Sequence, residues 1–405
     1  MKAKRLISIV LATAMIVLAL FSLTACGEKT AMSLTVDGKT YTVSTKELDF
    51  LFPYMKWQTF YNYGWSTAND TDVLWRTQYS AEDGSTITYD ESLTTLILAA
   101  AKNILVEKYL YEKYGSPEID GTKLVEYRAQ LKSMVDYYGY GKEGYYKKYF
   151  GYTSEQEYNY YIATLRDEAI RNSLFGENGT EKASDEEIDA YFTENYASYE
   201  FIVLDMNNAV VLDEDGKRVH ATKTEEDDNG NKVITELEKY ETKELTTEEK
   251  EEKQMLPETI KQALAAGTSF EELAEKYSDG FISEKYPNGF IVKNTTVLFD
   301  ETVANKIHEL ELGEYTEEGI SVSNDSMVYF AKRVELREKA YNEEDNKDIL
   351  TEITDSIHSD RFTEISKPYA EMIVVDEKVV SRYKASKAYL TDFVDVAYYS
   401  SMGLQ

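Results

Sequence analysis

Cysteine occurs once in these 405 residues, at Cys26, and histidine three times, at His220, His308 and His358. A lone thiol excludes an intrachain disulfide, so stability must come from packed cores, and the length suggests two domains or more. Positive charge is also scarce: 44 Lys and Arg face 74 Asp and Glu, a net charge of −30. Such a surface repels nucleic acid, whose affinity comes largely from cationic contacts. It repels anionic lipid headgroups as well. The sequence holds no Gly-rich phosphate loop and no Gly-x-Ser-x-Gly elbow. Asp227, Asn229 and Asn231 take the first positions of a calcium loop, but Lys232 stands where that loop requires glycine, so the segment reads as a turn. No metal and no cofactor is expected. Tyrosine is plentiful, 34 against 15 Phe and 3 Trp. An apolar ring with a polar tip suits both half-buried helix faces and peptide-binding surfaces. A compositional habit explains the count equally well.

The first residues carry Lys2, Lys4 and Arg5, followed by an uncharged, mostly apolar run from Leu6 to Phe21. The run is short and ends in small residues, which marks residues 1–25 as a secretory signal peptide rather than a membrane span. Leu23-Thr24-Ala25-Cys26-Gly27 resembles the bacterial lipobox. That resemblance implies a diacylglyceryl group on the Cys26 thiol and cleavage before it. Two acyl chains anchor a protein far better than one, so the mature chain is expected on the extracytoplasmic face of the cell membrane. With the signal go three positive charges and no acid, so the lipid rather than the surface must do the anchoring.

Along the mature chain, Leu34 and Val36 alternate before Asp37-Gly38, and Tyr41 and Val43 after it, the pattern of a small hairpin. Ser44 and Glu47 form a capping box for a helix. Residues 64–90 read as a polar insertion loop. Helices follow over 93–114, 123–138 and from Thr153 to about 173, then a linker at 176–183 and a helix capped by Ser184 and Glu187. Tyr199 to Leu204 reads as a strand and 206–250 as an acidic hairpin insertion. Helices are expected at 248–266 and 269–277, strands at 290–292 and 326–334, a long helix at 345–370 and a short strand at 372–375. The Tyr-rich tail is weakly specified.

Four of these places, taken in order, resemble the PrsA/SurA class of secreted foldases. They are the hairpin around Asp37-Gly38, Gly151-Tyr152-Thr153-Ser154-Glu155, Ser184-Asp185-Glu186-Glu187-Ile188 with Tyr191-Phe192, and Gly267-Thr268-Ser269-Phe270-Glu271-Glu272-Leu273-Ala274-Glu275-Lys276-Tyr277-Ser278. The last is similar to the Gly-x-x-Phe-x-x-Leu-Ala-x-x-Tyr-Ser helix of parvulin-type peptidyl-prolyl isomerases and is the most specific. Leu312-Gly313-Glu314 is similar to a further turn of that domain. The resemblance implies an α+β fold: a mainly helical chaperone module over 26–195, an inserted parvulin-like α/β domain over 196–338 that carries the acidic insertion 206–250, and a stretch 339–405 whose helix returns to the module.

Parvulins act on the X-Pro bond by binding the twisted amide better than the planar one. The family builds that site from two histidines, an Asp or Cys, and a Met/Phe pair. By position these fall here on Phe201, Tyr329, Tyr286, Phe299 and Val303. The polar set is replaced by apolar and aromatic residues, while His220, His308 and His358 fall outside it. The resemblance therefore implies a membrane-anchored chaperone for unfolded or newly secreted polypeptides, with a pocket stripped of its polar chemistry. An active isomerase using other residues, and a peptide- or solute-binding lipoprotein, remain as alternatives. Cys26→Ser is expected to abolish lipidation. The serine variant should leave the membrane fraction or keep its uncleaved mass, whereas a membrane-bound variant of wild-type processed mass would contradict the lipobox reading.

Overall fold

The computed structural model describes residues 28–81, 84–215, 217–226, 232–280 and 288–395. Cys26 and the segment expected as a signal peptide, Tyr286, the stretch 227–231 expected as a turn, and residues 396–405 lie outside them. The fold is α+β. It divides into two compact units, one of residues up to 182 together with those from 357 onward, the other of Ala183–Ser356.

Unit 1 opens with β1 (Thr30–Val36) and β2 (Lys39–Ser44), paired so that Leu34 faces Tyr41. Asp37 and Gly38 both take positive φ, 50° and 78°, as a two-residue hairpin turn requires. The Ser44/Glu47 capping box then starts α1 (Thr45–Asn62), with Ser44 N–H donating to Glu47 at 2.8 Å. The stretch expected as a loop is ordered instead: α2 (Asp72–Arg76) is followed by the hairpin β3 (Gln78–Ser80) and β4 (Thr86–Thr88). Its aromatics supply the reason, since Trp65 and Trp75 pack on Phe60 with ring centroids at 5.4 and 6.0 Å. Four helices complete this half: α3 (Tyr89–Lys113), α4 (Gly121–Tyr138), α5 (Glu143–Phe150) and α6 (Ser154–Phe175). Helix α5 escapes the sequence reading because only Tyr146 and Phe150, four residues apart, are buried on it.

Tyrosine has a structural role in this layer. Tyr146 and Tyr127 donate to the buried carboxylate of Glu157 at 2.7 and 3.1 Å, and the Trp57 indole donates to the Tyr152 hydroxyl at 3.0 Å. Each ring packs while its polar tip is satisfied, which is what burial of a tyrosine demands. The packing reading of the tyrosine count thus holds for Tyr146 and Tyr152, which are fully buried.

Unit 2 runs from α7 (Asp185–Asn195) into β5 (Tyr196–Asp205). The acidic insertion holds β6 (Asn208–Val210), β7 (His220–Glu226), β8 (Lys232–Tyr240) and β9 (Thr242–Glu244), with β7 paired to β8 and β6 to β9. The single helix expected over 248–266 is two, α8 (Thr247–Gln254) and α9 (Leu256–Ala265). Pro257 sits in the first turn of the second, where its missing N–H costs nothing, and the chain breaks just before it. After α10 (Phe270–Tyr277) come β10 (Phe290–Lys293), α11 (Glu301–His308), β11 (Ile320–Val322) and β12 (Met327–Val334). The sheet is antiparallel in the order β10-β5-β12-β11. The unit starts at 183 rather than 196 because α7 packs into it: Phe192 lies 5.4 Å from Tyr196 and 5.2 Å from Tyr341, and the Tyr341 hydroxyl donates to Asp189.

Helix α12 (Lys347–Glu371) contains the second boundary, at 356/357 rather than 338/339. In unit 1 its Phe362, Ile365 and Tyr369 pack on Val106, Leu110, Ile170 and Leu174. The chain then adds β13 (Val374–Val375) to β1 and forms α13 (Glu377–Val380). The described tail is packed, with Val379, Val380, Ala385 and Val394 in the unit 1 core. Among the described residues no helix is long and apolar enough to cross a membrane.

Glu107 of α3 is buried with neither carboxylate oxygen hydrogen-bonded. Burial pushes its acid up to about 7, against the pull of Arg166 and Lys108. The fold therefore favours the protonated form. That contribution is present at acid pH and is lost as pH rises from the ordinary value of 4.5 through about 7. Glu107→Gln should flatten this loss. Its stability advantage over the parent, followed by denaturant unfolding of unit 1, is expected to grow by about 2 kcal/mol between about pH 5 and about pH 8.

Candidate functional site

Strand β5 alternates across the sheet of unit 2. Ile202 and Leu204 face Ile260 and Leu264 of α9 and Phe270 and Leu273 of α10, with Val328 and Phe330 of β12 on the same side. Tyr199, Phe201 and Val203 face the other way, onto Val303 and Ile307 of α11, together with Tyr329. One apolar set anchors the helix that carries the 267–278 motif, and the opposite set packs under α11. The motif's final serine ties that helix to the strand, because the Val203 N–H donates to Ser278 Oγ at 2.9 Å. Asp279, next in the chain, holds both the Asp205 N–H and Lys253. The motif thereby fixes the edge of β5.

The structure brings four of the sequence-predicted positions together. Phe201, Val303 and Tyr329 are buried in one cluster with half-buried Phe299 against it. Phe299 stacks on Tyr329, centroids 4.4 Å apart and planes 23° apart, and meets Phe201 edge-on at 5.3 Å. Phe299 does so from a left-handed backbone, φ 63°, an uncommon state for an aromatic residue. Tyr286 lies outside the described residues. Gly289 has φ 82°, and a Cβ there would stand 2.5 Å from Ser198 Oγ, so Gly289 itself passes close to β5.

The polar groups around this cluster are committed elsewhere. Burial, then the charges of Asp205 and Asp300, raise the Tyr329 phenol above its ordinary value, so it stays protonated at neutral pH. Asp300 caps α11 through Thr302 N–H at 2.7 Å, and Asp205 caps the turn at Asn207 and Asn208. His308 is half-buried on α11. Its Nε2 lies 3.2 Å from the Thr296 carbonyl and its Nδ1 3.5 Å from the Tyr199 hydroxyl. A carbonyl can only accept, so Nε2 carries the proton and Nδ1 receives the Tyr199 hydroxyl. His220 packs on Tyr240 and His358 on Phe175, both away from this cluster. Among the described residues no three His, Cys, Asp or Glu side chains are placed to share a cation.

A second candidate, missed in the sequence, lies in unit 1. Trp65, Trp75, Tyr63, Tyr79 and Tyr89 line a cleft of about 340 Å³ with Leu93 and Leu96. Trp75 is held by Asp70 at 2.6 Å, and Asp70 in turn pairs with the buried Lys56 at 2.9 Å. The density of rings within 63–89 was the available signal, obscured by the polar residues between them.

No family model and no curated relative matches the chain. Solved structures do. It is similar to the foldase protein PrsA from Streptococcus pneumoniae at 17% identity over 76% of this chain and 98% of that one, with a TM-score of 0.27. It is similar to the peptidylprolyl isomerase PrsA from Bacillus cereus at 14% identity, over 81% and 99%, with a TM-score of 0.23. A foldase PrsA from Lactococcus lactis matches at 12% identity over 87% and 96%, with a TM-score of 0.25.

The Phe299 backbone gives the cluster a direct test. Phe299→Ala loses the ring and keeps an L residue at positive φ, whereas Phe299→Gly loses the ring and also the Cβ that the positive φ strains. Hydrogen exchange of the β12 amides should show Phe299→Ala destabilised by about 2 kcal/mol or more, with Phe299→Gly recovering roughly 1 kcal/mol of it.

Proposed function

We propose that this chain is a lipid-anchored extracytoplasmic chaperone that binds unfolded secreted polypeptides, and that its parvulin-like unit lacks efficient isomerisation. The observation that carries the reading is the ring stack in unit 2. Where an isomerase of this class needs histidines and an acid around a proline-sized pocket, Phe201, Phe299 and Tyr329 pack on one another. These rings are apolar or aromatic and buried or half-buried, an arrangement poorly suited to stabilising a twisted amide. Binding then falls to unit 1, whose aromatic cleft supports the same reading. Tethering at Cys26 would raise the effective concentration of such a chaperone where secreted chains emerge. One observation favours catalysis as a second reading: Tyr199 and His308 form a polar pair.

The division of labour is testable by excision. Each unit has its own core, so a chain with 183–356 replaced by a short linker should fold, as judged by circular dichroism. It should suppress aggregation of an unfolded secreted protein nearly as well as the full mature chain. If it folds and protects nothing while the isolated 183–356 unit protects, the assignment of binding to unit 1 is wrong.

A further inference from the structure

On the surface of this acidic protein, the turn between α4 and α5 reverses the charge sign among exposed rings. Tyr137, Tyr140 and Tyr145 there are 76, 81 and 51% exposed. Lys142, Lys147 and Lys148 are exposed beside them. Lys142 Nζ sits 5.7 Å from the Tyr145 ring, and the Tyr140 and Tyr145 rings meet edge-on at 6.3 Å. Among the described residues no carboxylate lies within ion-pairing distance of these three lysines. The neighbouring acids are already engaged: Glu143 accepts from Ser154 N–H and Oγ at 2.6 and 2.9 Å, Asp136 pairs with Lys132 and Glu155 with Arg128. Asp392 faces Tyr149 and Tyr389.

This tip lies at the end of unit 1 where the chain enters. Lys29 and Thr45 bond each other through Thr45 N–H to Lys29 O at 2.7 Å. Lys46 O, next in the chain, accepts from Gln156 Nε2 at 2.9 Å. Gln156 lies two residues beyond Ser154, which holds Glu143 at the start of α5. Cys26 stands four residues before Thr30, at most about 14 Å of extended chain. A lipid on Cys26 therefore brings this end of the unit to the bilayer. Tyrosine rings favour the membrane–water interface, and lysines there are attracted to anionic headgroups.

We propose that the α4–α5 tip is a membrane-docking surface, in which Tyr137, Tyr140 and Tyr145 enter the headgroup layer of an anionic bilayer and Lys142, Lys147 and Lys148 pair with its phosphates. It adds an orienting contact to the anchor proposed above. The orientation argument rests on that anchor; the charge and ring arguments do not.

The test uses the mature chain from residue 26 with Cys26→Ser, so that no acyl chain contributes. Co-sedimentation with phosphatidylglycerol-containing vesicles is compared with pure phosphatidylcholine vesicles at low salt. Binding to the anionic vesicles should exceed that to the neutral ones by about a hundredfold and fall at high salt as charges are screened. K142Q/K147Q/K148Q should reduce it by about a hundredfold, the effect of roughly 1 kcal/mol per lysine. Y137S/Y140S/Y145S should reduce it too, with the melting curve of unit 1 unchanged, and inorganic phosphate should not compete. The proposal is overturned if anionic vesicles are not preferred or if the lysine variant binds them as the parent does. Loss with the lysine variant alone, the tyrosine variant binding normally, also overturns it, because charge attraction without ring insertion is not docking. Failure of lipidation at Cys26 would show in the processed mass and leave these vesicle results standing.

Discussion

Everything in unit 1 depends on one strand pairing. Met32 of β1 lies opposite Val375 of β13, and the Asp376 N–H donates to the Ala31 carbonyl at 2.9 Å. A strand near the first of the described residues is thus completed by residues near the last of them. The helices between must close on themselves, and unit 2 must leave and return as an insertion. The C-terminal half of α12 and the tail are consequently part of the first core rather than an appendage. Lys56, buried on α1, donates to the Ala388 carbonyl as well as to Asp70. Burial pushes the pKa of that ammonium down, and Asp70 opposes the shift. A buried cation is tolerated only with such partners.

The chain uses aromatic residues in three physical settings. Where the hydroxyl finds a partner, as at Tyr146 on Glu157, the ring is core. Where rings meet one another, as at Phe299 and Tyr329, they pack as one cluster against the sheet of unit 2. Where rings stand in solvent, as at Tyr140, they are surface. These settings differ in their neighbours and not in residue type, so composition alone could not apportion them.

Local signals were the legible part of the sequence. Capping boxes at Ser44, Thr153 and Ser184 start helices where they should, because each side chain satisfies backbone groups within four residues. The Asp37-Gly38 turn and the alternation of β5 were equally local. Features set by distant partners were not legible. Helix α5 needs Tyr146 to reach Glu157, the 64–90 stretch is ordered by rings packing on Phe60 of α1, and α7 joins unit 2 through Tyr341. The candidate site was half legible: position matching brought Phe201, Phe299, Val303 and Tyr329 to one cluster, while the Tyr199–His308 contact depends on how α11 lies across the sheet.

Prolyl isomerisation measured on the chain from residue 26 onward decides between binding and catalysis. In a preparation that suppresses aggregation of an unfolded secreted protein, interconversion of an X-Pro peptide should proceed at the uncatalysed rate, with His308→Ala making no difference. Robust turnover that falls on replacing His308 or Tyr199 would contradict the proposed function and assign the unit an active site built from that pair.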